Sequence, residues 1–311
     1  NRRMHKTPIP RMGGLAIFAG FLLSSILFIP MSGQFRAILI GALILVVLGI
    51  VDDIVALDAK IKFVGQIAAA LIPALSGVVI RGFGHPFAEN SYFYLGVLSI
   101  PVTVLWIVGI TNAVNFIDGL DGLACGVSAI ATVTMLIIAV LYSEVQIALM
   151  MAALAGACLG FLPYNMNPAK IFMGDGGSQF LGFMIATIPL YTSNENLEFN
   201  KFLIMLVIVS FPMIDTIAAI WRRIRDHRPI MSPDRLHLHH KLLNLGFSKK
   251  HALYMVLSLQ SLLCCTVILS IFIEKYRATL LLSVAYTFMI CFFSFIHFTN
   301  RAVLRKIRME K

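Results

Sequence analysis

The sequence predicts an all-α, polytopic membrane protein of about ten transmembrane helices, and three observations carry that reading. Of its 311 residues, 59% are apolar and only 13% are charged, which no ordinary soluble domain sustains. The apolar residues run in stretches near the roughly 20 residues that an α-helix needs to cross a bilayer, without the alternation of barrel strands. The basic residues sort to alternate connections between those stretches.

The elements follow in order. Residues 14–32 form the first span, led in by the stiff, basic, Pro/Gly-punctuated stretch His5-Lys6-Thr7-Pro8-Ile9-Pro10-Arg11-Met12-Gly13-Gly14. Residues 37–51 are apolar but short, and end on Val51-Asp52-Asp53-Ile54-Val55-Ala56-Leu57-Asp58-Ala59-Lys60-Ile61-Lys62. The third span is 63–80 and the fourth, again short, is 97–111; both short ones have room to extend into polar flanks. Spans 122–142 and 146–162 are separated by three residues. Spans 177–192, 202–221, 252–273 and 278–298 complete the set. The whole of 1–311 is expected to be one integral-membrane domain. It opens on Asn1 with no signal peptide, and a natural N-terminal span is expected ahead of it. Cys125, Cys158, Cys264, Cys265 and Cys291 all fall inside spans, without zinc or disulfide spacing, and read as packing residues.

Charge orients the bundle. Twenty of the 25 Lys and Arg residues fall in the connections on the side of the N-terminus, and the other five on the opposite side. The positive-inside rule makes the first side cytoplasmic. The net charge of +10 is then topology and contact with anionic membrane lipids, and no nucleic acid is implied. Asp52, Asp53, Asp58, Asp118, Asp121, Asp175, Asp226 and Asp234 share that side, and Asp215 lies in the cytoplasmic half of the eighth span. The outer connections carry Glu89, Glu144, Glu195, Glu198 and Glu274 but no aspartate. Short polar motifs on one face imply one composite site there.

The motifs specify chemistry. In Asn112-Ala-Val-Asn-Phe-Ile-Asp-Gly-Leu-Asp-Gly-Leu123, Asn115, Asp118 and Gly122 stand three and four apart, on one face of a helical turn. Carboxylates at a membrane helix mouth are costly and rare without a task. Adjacent Asp52 and Asp53 repel, so one proton is held more firmly, and such a pair can accept or relay a proton. Lys62 can hold an anion as a point charge. Asp175 sits in the glycine-rich turn Phe172-Met-Gly-Asp-Gly-Gly-Ser178, where glycines permit close backbone approach to phosphate at a new helix N-terminus. Its charge requires a bridging divalent ion, and Mg²⁺ suits one carboxylate plus substrate phosphates, with Mn²⁺ as a substitute. The plain alternative is an N-cap, as it is for the turn holding Asp52 and Asp53. The most basic connection carries Arg225, Arg228 and Arg235, forks for phosphate oxygens, and His237, His239 and His240, read either as zinc ligands or as imidazoles facing a pyrophosphate. Lys6 and Arg11 serve equally as phosphate contacts or topology signals. Together these pieces describe a cytoplasm-facing site for phosphoryl transfer to or from a lipid-borne group.

The ordered set HKTPIPRMGG, VDDIVALDAKIKF, NAVNFIDGLDGLA, FMGDGGS and PDRLHLHHKL resembles the polyprenyl-phosphate N-acetylhexosamine-1-phosphate transferase superfamily over essentially the whole chain. The Asp234-Arg-Leu-His-Leu-His-His240 form resembles its bacterial undecaprenyl-phosphate GlcNAc-1-phosphate transferase branch; the muramoyl-pentapeptide branch usually carries three adjacent histidines. The resemblance implies transfer of GlcNAc-1-phosphate from UDP-GlcNAc to undecaprenyl phosphate with release of UMP, opening teichoic acid, O-antigen or common-antigen synthesis at the bacterial inner membrane. It implies Asp175 as Mg²⁺ ligand, Asn115 near metal and diphosphate, and Asp118 and Asp121 in the acidic loop. Lys62 would hold the lipid phosphate, Asp52 and Asp53 act as base or phosphate-positioning pair, and Arg228, His237, His239 and His240 face the nucleotide sugar. Direct in-line attack is the preferred route over a covalent enzyme intermediate. Asp58 departs from the pattern, standing where a small polar residue is expected. Another UDP-N-acetylhexosamine or UDP-MurNAc-pentapeptide would use the same machinery, and a homodimer is left open. The rival class is a proton- or ion-coupled transporter, which predicts mid-bilayer charges and inverted repeats that the sequence lacks. A scaffold role explains none of the aspartates.

Overall fold

The computed structural model describes residues 10–85, 91–191, 197–229 and 236–309, with side chains to 304. Twelve helices and one short hairpin lie in it. Helix α1 (Gly13–Phe28) stops before Ile29-Pro30, as the residue ahead of proline is pushed out of the helical region. Helix α2 (Gly33–Val55) is opened by Ser32, whose hydroxyl accepts from Phe35 N, and closed by Ala56 in the left-handed conformation. Helix α3 (Ala59–Leu75) is capped by Asp58, whose side chain accepts from Lys60 N at 3.0 Å. That capping bond gives the departing Asp58 a structural role.

Strands β1 (Gly82–Gly84) and β2 (Tyr92–Tyr94) pair antiparallel, with Phe83 opposite Phe93. This hairpin is an addition to the all-α expectation, too brief to leave an alternating signal. Helices α4 (Ser99–Ile117), α5 (Leu123–Leu141) and α6 (Val145–Asn165) follow. Gly122, at φ +79°, supplies the left-handed turn that starts α5. Then come α7 (Gly174–Thr187), α8 (Phe199–Ile208), α9 (Ser210–Arg225), α10 (Leu238–Asn244), α11 (Lys249–Ile271) and α12 (Lys275–Met309).

The chain divides into two compact units: α1 to α7 form the first, and β1, β2 and α8 to α12 the second. In the first, α7 is buried from Gly176 to Thr187 because α1, α2, α4 and α5 all pack around it. Two close approaches need glycine. A Cβ on Gly49 would collide with the backbone of Gly176, and one on Gly14 with that of Gly177. The glycine-rich turn was expected to admit a phosphate; Gly176 and Gly177 instead admit neighbouring helices.

A helix stands at each of the ten predicted places, and the protein is polytopic, but length and composition qualify fewer of them. Among the described residues six are long and apolar enough to cross a membrane: α2, α4 with its preceding turn, α5, α6, α11 and α12. The short predictions at 37–51 and 97–111 extend into their flanks, so Asp52 and Asp53 occupy the last turn of α2 instead of a loop. The predicted 202–221 span is α8 and α9, bent by 74°. Pro212 has no N–H to give Ile208 O, and the buried Gln260 amide of α11 donates to that carbonyl at 2.9 Å instead.

Candidate active site

Local structure explains why the acidic motifs of the first unit meet. The first polar stretch pairs with the glycine-rich one through backbone bonds: Phe172 N to Pro10 O, Gly13 N to Phe172 O and Gly14 N to Met173 O. Gly174 turns the chain into α7 at φ +74°, and a Cβ there would strike the Asp53 carboxylate. Asp53 Oδ2 accepts from Asp175 N at 3.2 Å, and Arg11 approaches Asp53 Oδ1 at 3.7 Å. Asp52 is held twice, by Leu57 N on Oδ1 at 2.8 Å and by Lys62 Nζ on Oδ2 at 2.9 Å. Lys62 Nζ also reaches Asp175 Oδ2 at 3.4 Å. From α4, Asn115 donates to Ser178 Oγ at 2.9 Å, and Ser178 donates back to the turn carbonyls of Gly174 and Asp175.

The electrostatics of this cluster are unresolved by the protein's own charges. Burial favours a neutral Lys62, yet its hydrogen bond to Asp52 and the charges of Asp175 and Asp52 outweigh that and raise the ammonium above its usual range. Asp175 is pushed up to about 6, first by loss of water and then by its contact with the Asp52 carboxyl, against the pull of Lys62. Asp118, the C-cap of α4, is pushed up to about 7 by loss of water and by the charges of Asp175, Asp53 and Asp121. Such a set of hard oxygens short of positive charge is what a divalent cation requires. Among the described residues no three His, Cys, Asp or Glu side chains form a closed metal site. Mg²⁺ needs no such closed site, since it takes one or two carboxylates and completes its shell with water and substrate phosphates.

Asp121 is differently engaged. Its Oδ2 accepts from Asn167 Nδ2 at 3.0 Å and Ala169 N at 3.1 Å, tying down the connection from α6 to α7. The buried Asn165 performs a similar task that sequence reasoning missed, accepting from Gly122 N and donating to Ile171 O.

In the second unit, Asp215 is fully buried on α9. Its Oδ2 is 2.9 Å from His237 Nδ1 and its Oδ1 accepts from Leu238 N at 3.0 Å, so it anchors the start of α10. His239 stacks parallel to His237 at 6.0 Å between centroids and meets His240 at 4.2 Å. Neither ring nitrogen of the buried His239 has a partner among the described residues. Burial, then the neighbouring His240, lowers it to about 3, so it is a neutral ring. Arg228 is exposed beyond the end of α9, its N–H bonded to Arg223 O. Asp215 was legible only as an acid inside an apolar stretch; its pairing with His237 was not foreseen. Lys6, Asp234 and Arg235 lie outside the described residues.

Known proteins resemble most of this chain. The model of the family Glycosyl transferase family 4 matches residues 35–193, which include Asp52, Asp53, Lys62, Asn115, Asp118, Asp121 and Asp175. A probable undecaprenyl-phosphate N-acetylglucosaminyl 1-phosphate transferase of Bacillus subtilis (strain 168) is 43% identical, over 82% of this chain and 72% of its own. A decaprenyl-phosphate N-acetylglucosaminephosphotransferase of Mycobacterium leprae is 36% identical, over 82% and 71%. A phospho-N-acetylmuramoyl-pentapeptide-transferase of Desulforudis audaxviator is 31% identical, over 80% of each.

Proposed function

The chain belongs to glycosyl transferase family 4, and from that premise we propose that it moves GlcNAc-1-phosphate from UDP-GlcNAc to undecaprenyl phosphate. The observation that carries this reading is the network in which Lys62 bridges Asp52 and Asp175 while Asp175 N bonds Asp53. It offers an anion-binding cation, a proton acceptor and, in Asp175, a carboxylate raised by burial, within one cluster.

In the proposed reaction an oxygen of the lipid phosphate attacks the sugar-bearing phosphorus of UDP-GlcNAc. The bond from that phosphorus to the bridging oxygen breaks, UMP leaves with that oxygen, and undecaprenyl-diphospho-GlcNAc remains. Lys62 holds the lipid phosphate as a point charge. Any proton on that phosphate passes to the Asp52–Asp53 pair, and direct in-line attack needs no covalent intermediate. Asp175 is the carboxylate for Mg²⁺, with Asp118 facing the same charge deficit. Held there, Mg²⁺ would supply positive charge for the diphosphate and the leaving group. Asn115 orients the Asp175 turn through Ser178. Arg228, His237, His239 and His240 are assigned to the nucleotide sugar; a neutral His239 suits a hydrogen-bonding ligand better than a charged one.

The finer topology belongs to the same proposal: ten spans in a bacterial plasma membrane, the acidic motifs cytoplasmic, with the sugar lipid serving the first membrane step of an envelope polymer. The purified protein tests it. Incubated with undecaprenyl phosphate and Mg²⁺, it should release UMP from UDP-GlcNAc and fall silent with chelator. Release only from UDP-MurNAc-pentapeptide would reassign the sugar, and release from neither would overturn the reading.

A further inference from the structure

One turn beneath the carboxylate cluster, three amide side chains meet. Asn112 on α4 donates through Nδ2 to Gln66 Oε1 at 2.7 Å, and Gln66 on α3 donates through Nε2 to Gln179 Oε1 at 3.1 Å. Gln66 and Gln179 are 4% and 1% exposed, so both pay the desolvation of an amide and are unlike anything apolar packing would select. A second bond from Asn112 Nδ2 to Val108 O fixes the end of the chain to the α4 backbone.

The spacing gives the amides a task. Lys62 and Gln66 are four residues apart on α3, Asp175 and Gln179 four apart on α7, and Asn112 and Asn115 three apart on α4. In a helix such pairs share a face. Each amide therefore sits one turn below one of the three site residues that must keep register, and Gln66 is the only one of the three bonded to both others.

We infer that Gln66 is a positioning residue whose amide, clasped between Asn112 and Gln179, sets the spacing of Lys62, Asn115 and Asp175 in the carboxylate cluster. The inference rests on the function proposed above. Hydrogen bonds suit the task because they fix direction as well as distance, whereas apolar contact between three helices permits sliding. Alignment of reacting groups is sensitive: a displacement of about 1 Å can cost on the order of a hundredfold in rate.

Three variants separate positioning from packing. Gln66→Met keeps the volume and loses both bonds; Gln66→Leu does the same with a shorter chain. Gln66→Glu keeps the acceptor for Asn112, and a turned Gln179 amide can donate to it. With wild-type protein releasing UMP, the Met and Leu variants should lose about thirtyfold or more in kcat. Their KM for both substrates should change less than about threefold, and thermal midpoints should stay within a few degrees. The Glu variant should recover part of the loss. Wild-type kcat in Gln66→Met, or losses that only follow the unfolded fraction with no rescue by Glu, would overturn the role of Gln66 while leaving the proposed function standing. Wild-type protein that releases no UMP would overturn both.

Discussion

The two polar clusters of this protein solve opposite problems. In the first unit, Lys62 bridges Asp52 and Asp175 with Asp53 bonded to Asp175 N, and Asp118 and Asp175 are raised to about 7 and about 6, first by loss of water and then by neighbouring carboxylates. In the second, Asp215 meets His237 and Leu238 N and is satisfied by them, while His239 beside them is buried, neutral and without a partner among the described residues. On the proposed reading the first cluster takes a cation; in the second, the His239 ring lacks a hydrogen-bonding partner among the described residues and suits a neutral or polar group. Electrostatic deficit and hydrogen-bond deficit are different invitations, and variants can tell them apart.

The largest expected effect lies in the first cluster. Asp175→Asn should lower UMP release about a thousandfold, the scale of losing a major electrostatic contribution. It should leave the thermal midpoint unchanged or raised, because a buried repelling charge is removed; intact turnover would break the contrast at once. Asp215→Leu should act in the reverse manner. Removing one member of a buried pair strands His237 and the α10 N–H, at about 3 kcal/mol. That loss should be read as a fall in thermal midpoint of several degrees, in contrast to Asp175→Asn. Lys62→Ala should raise KM for undecaprenyl phosphate about tenfold and more than that for UDP-GlcNAc; the opposite order would give Lys62 to the nucleotide sugar.

The smallest effect is a pH dependence, and it sharpens the second half of the comparison. His239 is held at about 3 in the folded chain against an ordinary 6.5, so the unfolded state binds the extra proton between those values. Stability from this group is therefore complete above pH 6.5 and is lost as pH falls towards 3, by at most about 1.4 kcal/mol per pH unit. Unfolding midpoints followed from pH 7 to 5 should fall less steeply in His239→Asn than in wild type, and equal slopes would contradict a buried neutral ring.

Much of this was legible from residue types. Apolar stretches located every α-helix but the short α10, which falls in the basic connection, because a bilayer imposes length and composition. Acidic residues in Gly- and Asn-bearing turns pointed to the candidate site, because charge there is costly. What escaped depended on contacts between distant segments. Gln66 and Gln179 lie in apolar helices where a lone amide carries no periodic signal, and only their mutual bond gives them meaning. Gly176 and Gly177 pointed to phosphate but serve helix contact, since close backbone approach looks alike in sequence whichever surface arrives. The bend at Pro212 needed Gln260, 48 residues on, to receive the carbonyl it frees.

The central claim is that the Asp175 cluster of the first unit is deficient in positive charge and takes a divalent cation. Mn²⁺ binding to the purified protein, followed by electron paramagnetic resonance without substrate, tests it directly. One ion per chain should bind to wild type and to His239→Asn, be displaced by excess Mg²⁺, and be lost in Asp175→Asn. Equal binding by wild type and Asp175→Asn, or UMP release that persists in chelator with no ion bound, would contradict the account.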